Sequence, residues 1–222
     1  MLEIRIRREA SGHSILGDIQ ASVAPGDRIC LLGPSGTGKT TLLNAIAGLD
    51  HSMAEESILG RDRLRVGYLF QEHRLLPWRT LNANLKLAGA SEREAERLLS
   101  QVGLSGYGHY LPDQLSLGMT RRAALARCLA VKPDLLLLDE PFASLDPVIV
   151  GELKARISAI LSDRPGMAMI CVTHDGNDAA ALANRLWYLE GRPARLRWDG
   201  AVHSQASTSA LMSRLRGVAK AV

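Results

Sequence analysis

Residues 33–40 read GPSGTGKT and match the spacing Gly-x-x-x-x-Gly-Lys-Ser/Thr. The stretch follows "RICLLG" (28–33), a short apolar run that predicts a buried strand, and precedes "TTLLNAIAGL", whose apolar spacing predicts a helix ending at Gly48. Few sequence features constrain a fold more tightly than this order of strand, turn and helix. Glycines at 33, 36 and 38 let the backbone turn sharply and aim successive N–H groups at phosphate oxygens. The helix beginning near Lys39 adds its positive N-terminal end. Lys39 is expected to reach the β- and γ-phosphates, and the Thr40 hydroxyl to ligate Mg²⁺. With Pro34, Ser35, Thr37 and Thr41, these residues form the candidate triphosphate cradle. A glycine-rich turn alone is weak evidence; flanked by strand and helix and ending in Lys-Thr, it predicts nucleoside triphosphate binding.

A second carboxylate-bearing strand belongs to such a site. "LLLLDE" (135–140) is a near-continuous apolar run, the pattern of a strand covered on both faces, and it delivers Asp139 at its carboxyl end. Asp139 is the candidate for holding the water shell of Mg²⁺, and Glu140 for polarising the attacking water. Two acids that merely end a strand are common, so their weight comes from lying downstream of a phosphate loop.

The rest of the chain predicts strands alternating with helices. "RVGYLFQ" (65–71) and "MAMICVTH" (167–174) read as strands, and "LWYLEGRPARLRW" (186–198) as closing strands around a Gly-Arg-Pro turn. "SEREAERLLSQVGL" opens with Ser91 and Glu94 at capping-box spacing, "TRRAALARCLAV" is a second helix that stops before Pro133, and a third runs from about 147 to 161. "DGNDAAALANRL" is a further helix, with acids in its first turn. The expectation is an α/β fold with a mainly parallel sheet, a small N-terminal antiparallel β part, and an inserted helical subdomain. One domain over 1–222 accounts for the length: a core of 1–71 and 131–200, a helical insertion at 72–130, and a tail at 201–222. The last dozen residues have the pattern of a basic amphipathic helix packed on the core.

Composition excludes several classes. No apolar stretch approaches the roughly 18 residues of a membrane span, and "MLEIRIRREA" lacks the apolar core of a signal peptide. The expected location is therefore cytoplasmic. A net charge of +4 is compatible with nucleotide, nucleic acid or an acidic protein surface and selects none of them. Cys30, Cys128 and Cys171 stand far apart without CxxC spacing and are expected as buried thiols. The histidines show no zinc-type spacing.

Taken in order, the motifs resemble those of ATP-binding subunits of ABC transporters, whose core is a P-loop NTPase (RecA-like) fold. The resemblance covers about residues 15–197. The phosphate loop corresponds to the Walker A motif; "YLFQE" places Gln71 as the Q-loop glutamine that senses Mg²⁺ and water. "LSLGM" (115–119) corresponds to the family signature. "LLLLDEPFASLD" joins Walker B to a D-loop containing Asp146, and "CVTHD" places His174 as the switch histidine at the γ-phosphate. The resemblance implies ATP and Mg²⁺ as cofactors, with Thr40, Gln71 and Asp139 at the metal and Glu140, His174 and Gln71 in catalysis. It also implies a head-to-tail pair, in which Ser116 and Gly118 of one chain close over the nucleotide of a second copy or a related chain. Membrane permease subunits would be direct partners, at the inner face of the cell membrane, and a solute-binding protein an indirect one. No nucleic acid is expected.

Four departures accompany the resemblance. Leu117 replaces a signature glycine, so its side chain must face away from nucleotide or the loop must shift, and Met119 replaces a glutamine. Met119, together with "LFQEHRLLPWRTLNANL" (69–85), resembles nitrate-, sulfonate- and taurine-type importers. In those relatives this region meets the membrane subunit, so Trp78 belongs either to a docking surface or to the interior of the helical lobe. The segment that usually carries an adenine-stacking aromatic, "REASGHSIL" (8–16), offers only His13, and the segment from Gly48 to Gln71 is short, which predicts a trimmed antiparallel part. Other readings remain: a non-transport ABC-type ATPase in nucleic-acid or assembly processes, or a non-hydrolysing ATP-dependent assembly module.

Overall fold

The computed structural model describes residues 1–6, 15–50 and 57–202. Two compact units share the chain, one comprising residues up to Arg61 and from Ala168 onward, the other Asp62–Met167.

The first unit holds two sheets. Strands β1 (Leu2–Ile6), β2 (Ile19–Val23) and β4 (Ile58–Leu59) form an antiparallel sheet in the order β2-β1-β4. Leu2, Ile4 and Ile6 alternate into the interior, as the period of 2 in the sequence requires. Among the described residues β4 is only two residues long, so the antiparallel part is small, as expected. In the larger sheet, β3 (Arg28–Leu32) lies parallel to β7 (Ala168–Val172) on one side and to β8 (Arg185–Glu190) on the other. β8 then turns through a cis Arg192–Pro193 bond into antiparallel β9 (Arg195–Ala201). Cys30 and Cys171 are register partners on β3 and β7, both fully buried and outside any disulfide.

Two helices complete this unit. α1 (Lys39–Ala47) ends at Gly48, whose left-handed backbone (φ 74°) returns amide bonds to the last carbonyls. α6 (Gly176–Leu182) starts at Asp175, which accepts the amide of Asn177.

The second unit pairs β5 (Val66–Leu69) in parallel with β6 (Leu135–Asp139). All five β6 residues are buried, as a two-faced strand demands. Its helices are α2 (Leu81–Leu87), α3 (Glu92–Gln101), α4 (Leu117–Ala130) and α5 (Pro147–Ser162). Each has an N-cap chosen by chemistry: Thr80, Ser91, Ser116 and Asp146 accept amides of Ala83, Glu94, Met119 and Val148 respectively. Only half of the capping box expected at Ser91 forms. The Glu94 side chain turns to Arg97 and Lys132 instead, because opposite charges within reach compete with the backbone amide for its carboxylate. Cys128 is also a buried thiol, and burial pushes it up to about 12. No helix among the described residues is long and apolar enough to cross a membrane. His13 and the expected C-terminal amphipathic helix lie outside the described residues.

Candidate triphosphate site

The phosphate loop leaves β3 at Gly33 and enters α1 at Lys39. Its glycines have separate causes. A Cβ on Gly33 would lie 2.2 Å from the Leu189 carbonyl oxygen. Gly38 has φ 90°, and a Cβ there would meet Cγ2 of Ile15 at 2.7 Å. Gly36 (φ 74°) faces open space and is glycine for its backbone alone. Thr37 stiffens the turn, its hydroxyl donating to the Pro34 carbonyl at 2.7 Å. The buried Lys39 ammonium donates to the carbonyls of Gly33 (2.9 Å) and Pro34 (2.8 Å), which holds its charge over the loop. Pro34, Ser35, Gly36 and Thr40 are exposed, while Thr41 on the first turn of α1 is half-buried.

His174 belongs to the same unit and the same sheet end. Leu31 and Val172 are register partners, so the bend carrying His174 leaves β7 level with Gly33 leaving β3. The Thr173 amide donates to Leu31, and the Thr173 hydroxyl to the buried Asp178 carboxylate. This anchors the bend while leaving the imidazole of His174 exposed.

In the second unit, Gln71, Asp139 and Glu140 gather at the carboxyl ends of β5 and β6. Leu69 pairs with Leu138, which places exposed Gln71 level with Glu140. Asp139 is only 2% exposed, and its charge, after burial itself, helps push the nearby Tyr68 phenol up. Glu140 sits at φ 46°, in the left-handed region that costs a residue with a Cβ on the order of 1–3 kcal/mol. The strand must therefore break at that residue, and its side chain is turned out of the β6 alternation.

The signature and the D-loop are brought together within this unit as well. Ser116 is exposed at the start of α4; its oxygen accepts the Met119 amide at 3.3 Å, which leaves the hydroxyl proton for another acceptor. Gly118 is buried against Ile149, two residues into α5 past Pro147. Asp146 caps that helix at 2.8 Å, so its carboxylate has a local task besides any role toward a partner. Leu117 is 48% exposed and points to solvent. Leu117 therefore fits the loop without displacing it, and Met119 supplies the capping amide through its backbone, which any residue type except proline could do.

The oxygen donors Thr40, Gln71 and Asp139 are the hydroxyl, amide and carboxylate groups that suit a hard cation such as Mg²⁺. Thr40 lies in one unit and the other two in the other.

Three residues that sequence reasoning passed over hold the segment after β5. Arg121 donates to the carbonyl of Phe70, and Arg127 to those of His73 and Arg74. Burial pulls both guanidinium groups below the ordinary arginine range. The Asn84 side chain accepts from the Leu76 amide at 2.8 Å and donates to the carbonyls of Leu76, Arg79 and Thr80. The loop so fixed presents Trp78 at 70% exposure, which removes the lobe-interior alternative for that residue. Arginines set among the apolar residues of a helix were the available signal, since charges drawn toward a core need oxygen partners.

A family profile described as ABC transporter matches residues 16–143. The chain is 43% identical over 209 residues to the aliphatic sulfonates import ATP-binding protein SsuB 2 of Burkholderia cenocepacia (strain HI2424), covering 88% of this chain and 76% of that protein. It is 37% identical over 228 residues to SsuB 1 of Pseudomonas savastanoi pv. phaseolicola, covering 99% and 94%. Among solved structures it resembles the dimeric post-hydrolysis state of the ATP-binding cassette MJ0796 bound to ADP and Pi. The TM-score there is 0.74 at 24% identity, over 92% of this chain and 100% of that one. A second dimeric MJ0796 structure gives 0.75 at 23% identity, again over 92% and 100%. The fold is thus that of an ATP-binding cassette, and the chain belongs to the ABC transporter family.

Proposed function

We propose that this chain is the ATP-hydrolysing subunit of an importer for a small organic sulfonate or a related solute such as taurine or nitrate. It works as a head-to-tail pair at the inner face of the cell membrane. The observation that carries the reading is that one chain supplies both halves of a shared site: a phosphate loop with Lys39 seated over it, and an exposed helix start whose Ser116 retains a donatable proton. The names of the sulfonate-import relatives support the solute class.

Phosphoryl transfer to water rests on positioning and charge neutralisation. The loop amides and Lys39 hold the β- and γ-phosphates. Thr40, Gln71 and Asp139 would hold Mg²⁺, which would supply neutralisation of phosphate charge. Glu140 orients a water in line with the γ-phosphate and accepts its proton. His174 and the partner chain's signature serine stabilise charge as it develops. The exposed Trp78 loop is the docking surface for separate membrane subunits, and a solute-binding protein acts through those subunits. The charged surface serves protein partners, with no nucleic acid involved.

The test is the solution mass of Glu140→Gln by light scattering, with and without MgATP, with ATP binding measured on the same sample. The expected result is a shift from monomer to dimer on adding MgATP, with turnover reduced by about 10²–10⁴. A variant that binds MgATP and stays monomeric would overturn the paired site. Turnover at the parent rate would remove Glu140 from catalysis.

A further inference from the structure

Ile15 is an apolar side chain left 51% exposed beside the first turn of α1. Its Cγ2 occupies the space a side chain at position 38 would need, 2.7 Å from a Cβ built there. Two backbone bonds through residue 194 hold it in place: the Ala194 amide donates to the Ile15 carbonyl at 2.9 Å, and the Gly17 amide donates to the Ala194 carbonyl at 2.7 Å. A rigid aliphatic face thus borders the phosphate cradle at the point where the chain passes into the helix.

No aromatic ring among the described residues of this unit offers itself for that place. Trp187 and Tyr188 are buried within β8. Trp198 is exposed, but its ring lies along Gly200, 2.8 Å from a Cβ built on that glycine. Trp198 is level with Tyr188 and Leu32 but separated from β3 by β8, and its ring leans back from the Gly33 end toward Gly200, which is level with Leu186 and Cys30 in the middle of β3. The sequence from 7 to 14 contains no Phe, Tyr or Trp.

We propose that Ile15 is the side chain that meets the nucleobase, and that the site accepts adenine and guanine nucleotides almost equally. The proposal rests on the triphosphate-binding reading above and adds to it the class of base. An aliphatic face attracts any flat base by dispersion and reads none of its edges. Strong discrimination needs hydrogen bonds to exocyclic groups, and apolar contact alone separates similar ligands by only about 10–200-fold. Adenine and guanine present nearly the same apolar face, so they fall at or below the bottom of that range. Of the backbone groups beside Ile15 that could read a base edge, its own carbonyl and the Gly17 amide are engaged with residue 194.

The test is calorimetric titration of the full chain with ATP, GTP and tripolyphosphate, each with Mg²⁺, in four proteins: the parent, Ile15→Ala, Ile15→Tyr and His13→Ala. ATP and GTP are expected to bind the parent within about threefold of each other. Ile15→Ala should weaken both by about tenfold and leave tripolyphosphate unchanged. Ile15→Tyr should tighten both by about tenfold through stacking. ATP binding more than about a hundredfold tighter than GTP would overturn the proposal. So would a silent Ile15→Ala, or a loss that appears in His13→Ala instead. Failure of tripolyphosphate together with both nucleotides would be a different result, and would sink the triphosphate reading on which the proposal stands.

Discussion

A methyl group of Ile149 stands where a side chain at position 118 would begin: a Cβ on Gly118 would lie 2.9 Å from Cγ2 of Ile149. The signature glycine is therefore required by packing within this chain, whatever it offers a partner's nucleotide. Overpacking of this kind costs about 1–3 kcal/mol, against which alanine returns up to about 1 kcal/mol as a better helix former. Gly118→Ala should therefore lose about 1–2 kcal/mol of stability, seen as a lower urea midpoint at unchanged slope. Ile149→Ala in the same chain should recover most of the difference. An unchanged midpoint for Gly118→Ala would show that the close contact relaxes freely.

Asn84 and Trp78 belong to one loop and should respond oppositely. Asn84 is buried, and its amide satisfies four backbone groups of residues 76–80. Asn84→Ala leaves the Leu76 amide and the Arg79 carbonyl without that partner, while the carbonyls of Leu76 and Thr80 keep the backbone amides of Arg79 and residue 84, and it should cost about 1–3 kcal/mol in chemical denaturation. Trp78→Ala removes an exposed ring and should stay within about 0.5 kcal/mol of the parent. That second variant should keep the basal ATPase rate of the isolated chain while losing co-purification with the membrane subunits proposed above. A Trp78→Ala protein that assembles at the parent level would separate this residue from docking.

His73 gives the loop a pH dependence. Burial, then the charges of Arg121 and Arg127, hold its imidazole below the usual histidine range, with Glu72 opposing them. Its Nδ1 accepts the Leu75 amide at 3.1 Å, a bond open only to the unprotonated nitrogen. The unfolded chain then binds the proton more readily than the folded one. Stability should fall as pH drops below about 6.5, and level off once the folded form also protonates. His73→Asn keeps an acceptor for Leu75 and should flatten that part of the profile in thermal unfolding between pH 7 and 5. A parent and variant with parallel profiles would assign the slope to other groups.

What the sequence made legible was local. The phosphate loop, β6 and the start of α4 are each specified by residues within a few positions, and the structure has them as strand, turn and helix where the patterns put them. Contacts across distance were hidden. Gly118 meets Ile149 thirty-one positions on, and Ile15 meets Gly38 twenty-three positions on, through van der Waals contacts that leave no periodicity. Asn84 was illegible for another reason: an amide that serves backbone carbonyls looks like any polar helix residue until the path of the loop is known. Trp78 shows the limit from the other side. Its neighbours Pro77 and Arg79 suit a surface or a lobe interior equally, and only its exposure decided between them.

The grip of α4 on the segment after β5 has a mechanical consequence. Ser116 stands at one end of a helix of 14 residues, roughly 21 Å long at 1.5 Å per residue. Along its length, Arg121 and Arg127 fasten to the carbonyls of Phe70, His73 and Arg74, while the Arg74 guanidinium lies 3.8 Å over the Phe70 ring. Those bonds give a push on the helix's serine end a continuous path to the segment that leads into the Trp78 loop, and a pull on that segment the same path back.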